Sequence, residues 1–210
     1  MRTLLLQEYK KKLALGQLQE SVLVGSLLGD GTLRMGQRAA NANFKVEHGL
    51  KQKDYVFWKY KVFKEWVTTP PKLSVRYDEK RLPYLKSWWF RTVRHPAITL
   101  FHKKFYLNGI KIIPEDIENF FDPLAFAVWI MDDGSLNKGR IDISTYSFEL
   151  KEIWLLQKAI INRFSLESNY YKDRDRGLRM YFRKSETQKL SRVISNFIIP
   201  SLQYKIPVTP

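Results

Sequence analysis

The sequence predicts an α+β protein in which one unit of helices and strands occurs twice, and three observations carry that prediction. Residues 23–36, LVGSLLGDGTLRMG, and 126–139, FAVWIMDDGSLNKG, fall into register on Asp30 and Asp133, sharing Asp-Gly, then Thr or Ser, then Leu, and a later Gly. Each is followed by a polar/apolar alternation. Asn43, Lys45 and Glu47 alternate with Ala42, Phe44 and Val46; Arg140, Asp142 and Ser144 alternate with Ile141, Ile143 and Thr145. Such a period of two marks a half-buried strand. A helical stretch, two more strand candidates and a closing segment then follow in the same order in both halves.

Taken along the chain, a first helix is expected over about Gln17–Gly31, then the strand around Phe44, then a helix over Lys53–Val67 that ends before Pro70-Pro71. Strands are expected at Lys72–Tyr77 and Leu85–Arg91, and a closing helix that ends near IKIIP, with Lys111 and Pro114. The second half offers a helix over Glu149–Phe164, strands at Asn169–Arg174 and Leu178–Arg183, and a closing segment QYKIP with Lys205 and Pro207. PEDIENFFDP is rich in proline and acid and reads as a linker, which gives repeats at 1–113 and 124–210 separated by 114–123.

Composition narrows the partner. Lys and Arg number 36 against 21 Asp and Glu, a net charge of +15, and a surplus of that size fits a polyanion, because each cation that meets a phosphate releases condensed counterions. No cysteine is present, so disulfides and thiolate metal sites are excluded. The longest apolar run, about Leu124–Met131, is too short to cross a bilayer, and the three leucines after the first threonine do not make a signal peptide. The expectation is a soluble intracellular protein.

The two aspartates are the candidate chemistry. On a helix, Ser21, Gly25 and Gly29 lie at four-residue spacing on one face, where small side chains let another backbone approach. The Gly of each Asp-Gly suits a helix C′ position with positive φ. The aspartate before it sits at the negative end of the helix dipole, which destabilises a carboxylate by up to about 1 kcal/mol. One Asp-Gly would be an ordinary solvated turn; two in register, each after an apolar helix, are not. If the helices pack together, their ends bring two carboxylates near each other. Such a pair suits a hard divalent cation such as Mg²⁺, and metal-assisted phosphodiester hydrolysis uses that arrangement. Other nuclease chemistries find little support. His48, His95 and His102 have no partner at a metal-ligand spacing, Asp78-Glu79-Lys80 lacks a preceding Pro-Asp, and there is no Gly-rich phosphate loop.

LVGSLLGDG and FAVWIMDDG, with the strands that follow them and the lysines of IKIIP and YKIP, resemble the two signature helices of single-chain LAGLIDADG homing endonucleases over nearly the whole chain. The resemblance implies two pseudo-symmetric αββαββα halves joined by packed motif helices, with antiparallel sheets that form a DNA-binding saddle. It implies a monomer that cuts double-stranded DNA at a long asymmetric site, one strand for each aspartate, with Mg²⁺ or in its place Mn²⁺. Asp30 and Asp133 would bind metal, with Asp132 behind them and the carbonyls of Gly29 and Asp132 facing the ion. Lys111 and Lys205 would support water activation or charge stabilisation. The chain departs from the pattern in carrying Lys45 and Ser144 where many relatives have Gln or Asn, and Val128, Trp129 and Met131 where small residues are frequent. A non-cutting binder such as an intron RNA maturase is the alternative, and the gene's home could be a mitochondrion or chloroplast.

For DNA contact, alternation offers Lys72, Ser74 and Arg76, then Lys172 and Arg174, then Arg179, Tyr181 and Arg183, besides Lys45, Glu47, Asp142 and Ser144 on the earlier strands. Their neighbours Leu73, Val75, Tyr77, Leu178, Met180 and Phe182 are expected to back onto helices. Strands in the major groove present alternate residues to base edges, where Arg can donate bidentately to guanine. The faces of Leu85–Arg91 stay unassigned, because Trp88, Trp89 and Phe90 are consecutive.

Overall fold

A helix that is apolar on every side has no face to offer solvent, and FAVWIM is such a run. In the computed structural model the helix that contains it, Pro123–Asp133, has every side chain from Ala125 to Met131 inaccessible. The structure describes residues 2–37, 39–80 and 82–207. In chain order the first half holds α1 (Arg2–Lys11), α2 (Gln17–Leu28), β1 (Thr32–Met35), β2 (Ala42–Gly49), α3 (Lys53–Val62), β3 (Lys72–Tyr77), β4 (Pro83–Arg91) and α4 (Pro96–Phe105). A hairpin follows, β5 (Tyr106–Leu107) and β6 (Ile110–Lys111). The second half holds α5 (Pro123–Asp133), β7 (Gly134–Asn137), β8 (Arg140–Ser144), α6 (Leu150–Phe164), β9 (Asn169–Lys172), β10 (Leu178–Phe182) and α7 (Lys184–Ile194). From α2 to α4 and from α5 to α7 the order is αββαββα both times. The sheets, β1-β2-β4-β3 and β7-β8-β10-β9, share one strand order and every pairing in them is antiparallel.

By contact the chain divides into two compact units, Met1–Glu20 with Asp30–Lys103, and Ser21–Gly29 with Lys104–Pro210. In the first unit, Leu33, Phe44, Val46 and Phe90 come from one face of the sheet and are buried. Behind them lie Tyr55 and Val56 of α3, with Phe63 and Trp66 beyond it. The Phe44 and Phe63 rings meet at 5.2 Å. The helix expected over Lys53–Val67 stops at Val62 and gives way to a 3-10 turn at Lys64–Trp66. That tightening sets Trp66 into the core.

In the second unit Ile141, Ile143, Met180 and Phe182 line the covered sheet face, and Phe126 packs among Phe121, Trp129, Phe164 and Phe182 with ring centroids 4.9 to 6.0 Å apart. α6 begins where its sequence directs, with Glu149 and Glu152 forming a reciprocal capping box. The proline-bounded stretch before α5 is packed, with Ile117 and Phe121 buried.

The motif helices meet within this second unit, and Ser21, Gly25 and Gly29 all face α5 as their spacing predicts. Ser21 donates to Asp122, whose other carboxylate oxygen caps α5 through the Ala125 amide at 2.7 Å. A Cβ on Gly25 would lie 2.3 Å from the Ala125 carbonyl oxygen and 2.6 Å from Val128 Cβ, so the bulky Val128 is accommodated by the absence of a side chain opposite it. Gly25→Ala is therefore expected to destabilise the protein by about 1–3 kcal/mol, because the obstacle is backbone and cannot rotate away. In a chain of this size that is a fall in melting temperature of roughly 2–12 °C. An unchanged thermal melt would mean the helices separate at no cost.

Two expectations are corrected at the helix ends. α2 stops at Leu28, with the Gly29 amide shared between the Gly25 and Ser26 carbonyls, so Asp30 stands just past the helix. Gly134 is extended (φ −75°) and not at positive φ; glycine fits there because a Cβ would lie 2.6 Å from the Ile130 oxygen.

Candidate active site and nucleic-acid face

A helix ends in carbonyls that lack internal partners, and a cation is the natural group to meet them. Both closing lysines do so. Lys111 Nζ donates to the Gly29 carbonyl at 2.8 Å, and Lys205 Nζ, buried, donates to the Met131 carbonyl and, at 3.0 Å, to that of Asp132. They arrive by different routes. Lys111 is on β6, set by the Asn108-Gly109 turn with both residues at positive φ, whereas Lys205 ends a 3-10 turn at Pro200–Lys205. Neither is carried by α4 or α7, and of the two only Lys205 ends a helical segment, a short 3-10 one. Asp132 is buried with its carboxylate against Gly29, where a Cβ would lie 2.7 Å from Asp132 Oδ2, and Asp133 is the half-buried last residue of α5.

In the first unit Asp30, its side chain 49% exposed, faces His48, whose Nδ1 is 3.4 Å from Asp30 Oδ2. Sequence spacing gave no hint of this pair, because 18 positions separate the residues and β2 folds back to bring them together. A signal was present. The inward row Ala42, Phe44, Val46 ends in His48, a polar residue on a covered face.

The other face of this sheet is cationic. Register places Thr32 and Arg34 of β1, Asn43, Lys45 and Glu47 of β2, Ser87, Trp89 and Arg91 of β4, and Lys72, Ser74 and Arg76 of β3 on one side. Trp88 and Phe90 take the opposite side, which resolves the aromatic triplet. Glu47 sits centrally in this face. Burial alone would raise its carboxyl, but hydrogen bonds from Lys45 and Ser87 and the charges of Lys45 and Arg76 outweigh that and hold it below the ordinary carboxylate range. Lys45 and Arg76 are thus partly neutralised before any partner arrives. Asn43, near the start of β2, is buried and not at the surface of this face.

The second sheet's polar face is built differently. Arg140 makes a two-point contact with buried Asp142 at 2.9 and 3.2 Å and lies over the Tyr181 and Tyr171 rings. Arg179 donates to Ser135 at 2.8 Å and to Tyr146, and is 3.7 Å from Asp173. Burial, then the neighbouring Asp142 charge, pushes the Tyr171 phenol up. This is a pre-ordered hydrogen-bonding surface with its arginines held in place.

Several expected faces are corrected. Lys172 pairs with Leu178, and Arg179 with Tyr171, so Lys172 points to the other face of the sheet from Arg179, and Tyr171 takes the place expected of it. Arg174 is in the following turn at φ 52°, and Arg183 is the N-cap residue of α7; neither belongs to a strand. Leu73 and Tyr77 are 48% and 58% exposed, because β3 is an edge strand that reaches past the helices. Ser144 keeps the face expected of it, paired with Arg179.

Two αββαββα repeats, each with an antiparallel sheet covered on one side and polar on the other, make a duplicated fold of the kind that lays strands along nucleic acid. The chain belongs to the LAGLIDADG DNA endonuclease family, whose model matches residues 20–190. It is 28% identical to the DNA endonuclease I-ChuI of Chlamydomonas applanata, over 92% of this chain and 96% of that protein. It is 29% identical to the cytochrome b mRNA maturase bI2 of Debaryomyces hansenii, over 88% of this chain and 72% of the maturase. The structure of the homing endonuclease I-WcaI bound to its DNA recognition sequence superposes with a TM-score of 0.90 at 25% identity, over 98% of this chain and 93% of that one.

Proposed function

We propose that this chain is a site-specific DNA endonuclease of the homing type that acts as a monomer on a long asymmetric duplex site and uses divalent metal, Mg²⁺ with Mn²⁺ as substitute. Asp30 and Asp133 are the proposed metal carboxylates, supported by Asp132 and by the carbonyls of Gly29 and Asp132. The division into repeats 1–113 and 124–210 about a 114–123 linker belongs to the same reading. The observation that carries it is the repeated helix end, an aspartate with a lysine bound to the carbonyls just before it. The donor set fits a hard cation, which takes carboxylate and carbonyl oxygen. When bound, such an ion lowers the pKa of water and stabilises a leaving oxygen. The chain's own groups do the rest. Lys111 and Lys205 offset the negative helix ends, which makes a carboxylate beside them tolerable, and keep positive charge within reach of a scissile phosphate. On the polar faces, Lys45, Lys72, Ser74 and Arg76 with Glu47, and Arg179, Tyr181 and Ser144, are the proposed DNA contacts, with Asp142 corrected to a buried anchor for Arg140; Lys172, Arg174 and Arg183 are left for phosphates at the margins.

The test is incubation of purified protein with randomised duplex and Mg²⁺, followed by sequencing of cut ends. Ends that converge on one long sequence support the reading, and tight binding without cutting in Mg²⁺ or Mn²⁺ overturns it. That second outcome would favour the maturase alternative, which rests on the likeness to the Debaryomyces protein, and selective binding of intron RNA would then decide.

The lysines give a separable prediction. Lys205→Met is expected to cost about 1–3 kcal/mol, because buried carbonyls lose their donor, and also to slow cleavage more than it weakens binding. Lys111→Met, at a less buried position, is expected to slow cleavage with a smaller fall in melting temperature. Wild-type turnover in both variants would reduce the lysines to helix caps.

A further inference from the structure

We propose that His48 supplies a nitrogen donor to the divalent ion held by Asp30, so that this half of the molecule favours a borderline cation such as Co²⁺ over Mg²⁺. The inference rests on the reading of Asp30 as a metal carboxylate. His48 Nδ1 and Asp30 Oδ2 are 3.4 Å apart. Two donors each about 2.1 Å from one ion stand roughly 3.0 Å apart at a right angle and roughly 3.4 Å at a tetrahedral angle, so the pair is spaced to share an ion. The two side chains also differ as a bound ion would require. The histidine is 2% exposed and its ring lies 5.0 Å from that of Tyr55, whereas the aspartate is half open to solvent. One donor is fixed by the core and the other is accessible to an arriving ion.

The second half carries no histidine at the equivalent position. Thr32 pairs with Lys45 in the first sheet, and its motif counterpart Ser135 pairs with Asp142 in the second. Counting three residues on, His48 corresponds to Thr145, whose hydroxyl donates to the Leu178 carbonyl at 2.8 Å. Imidazole nitrogen suits later first-row metals, while an all-oxygen site suits Mg²⁺. The two halves are therefore expected to differ in metal preference.

The experiment uses the full chain and metal alone. Pulsed electron paramagnetic resonance of the Mn²⁺-loaded wild type is expected to show coupling to a directly bound imidazole ¹⁴N, lost in His48→Asn. Calorimetric titration is expected to show Co²⁺ affinity falling at least about tenfold in His48→Asn and His48→Gln, with Mg²⁺ affinity changed less than about twofold. The wild-type spectrum needs no variant to fold, and near-ultraviolet circular dichroism checks the two that are made. Metal that binds in an Asp30-dependent way, but without ¹⁴N coupling and with equal Co²⁺ affinity in the His48 variants, overturns the role of His48 and leaves Asp30 standing. Metal binding that Asp30→Asn does not weaken overturns the reading of Asp30 itself, and this inference with it.

Discussion

Asp30→Asn and Asp133→Asn are each expected to abolish metal-dependent double-strand cleavage while leaving the fold and DNA binding intact. The size of the loss follows from what the carboxylate would do. A bound cation contributes several kcal/mol to stabilising the charge of phosphodiester hydrolysis, and each 1.36 kcal/mol is tenfold in rate, so a fall of about 10²–10⁴ is expected at the affected strand. Stability is expected to move the other way or not at all. Asp133 is the last residue of α5, where a carboxylate opposes the helix dipole, but Lys205 on the same helix end offsets that, so the change is expected to stay under about 1 kcal/mol. Asp30 is half exposed, so its replacement buries nothing unsatisfied. DNA binding is expected to survive because the polar sheet faces lie on strands and not at the helix ends. Supercoiled plasmid carrying the site, resolved into supercoiled, nicked and linear forms, is the measurement. If each aspartate serves one strand, each variant leaves a nick; if the ions are shared, neither strand is cut. Linearisation at the wild-type rate by both variants would remove these residues from the active site.

The features legible in the sequence were those with local causes. β3 has the ends expected of it, Lys72–Tyr77, because Pro70-Pro71 closes the preceding segment and the alternation is uninterrupted. α6 was legible from its period and begins on a capping box. The Ser21, Gly25, Gly29 face was legible because small residues at helical spacing have few other uses. What escaped depends on pairing across strands. Alternation shows which residues of one strand share a face, but not which face of the sheet that is. Alternation alone puts Lys172 and Arg179 on one face, and the register separates them. Arg34 carries no sequence signal because β1 is only four residues long, and the faces of Trp89 and Arg91 are not assignable from sequence because the aromatic triplet masks the period of β4. His48 has no metal-ligand spacing along the chain, because its partner Asp30 is reached only by folding. The position of Lys111 does have a local cause, the Asn108-Gly109 hairpin turn that pairs β5 with β6.

Affinity for duplex DNA is expected to fall steeply with salt, and the fall is expected to be traceable to particular cations. With a net charge of +15, neutralisation of about six phosphates is a modest demand. It predicts a slope near −5 in log affinity against log salt and a loss on the order of 10³ between 50 and 200 mM. The sheet faces say which residues set that slope. Lys72 and Arg91 are exposed on the first face, and removing either is expected to reduce the slope by about 1 and to weaken binding to all sequences alike. Arg140 and Arg179 are already engaged by Asp142 and by Ser135, Tyr146 and Asp173. Their charge is spent inside the protein, so both alanine variants are expected to leave the slope unchanged. Arg179→Ala is expected to alter preference at particular base pairs by about 1–3 kcal/mol, and Arg140→Ala to lower stability, because Asp142 is left buried without its partner. Fluorescence anisotropy with the cognate duplex across a salt series, repeated with single base changes, separates the two behaviours. A flat salt dependence in the wild type would end the polyanion reading of the charge. A slope reduced by one in Arg140→Ala would show that its bond to Asp142 opens when DNA binds, and that the second sheet grips phosphate as the first does.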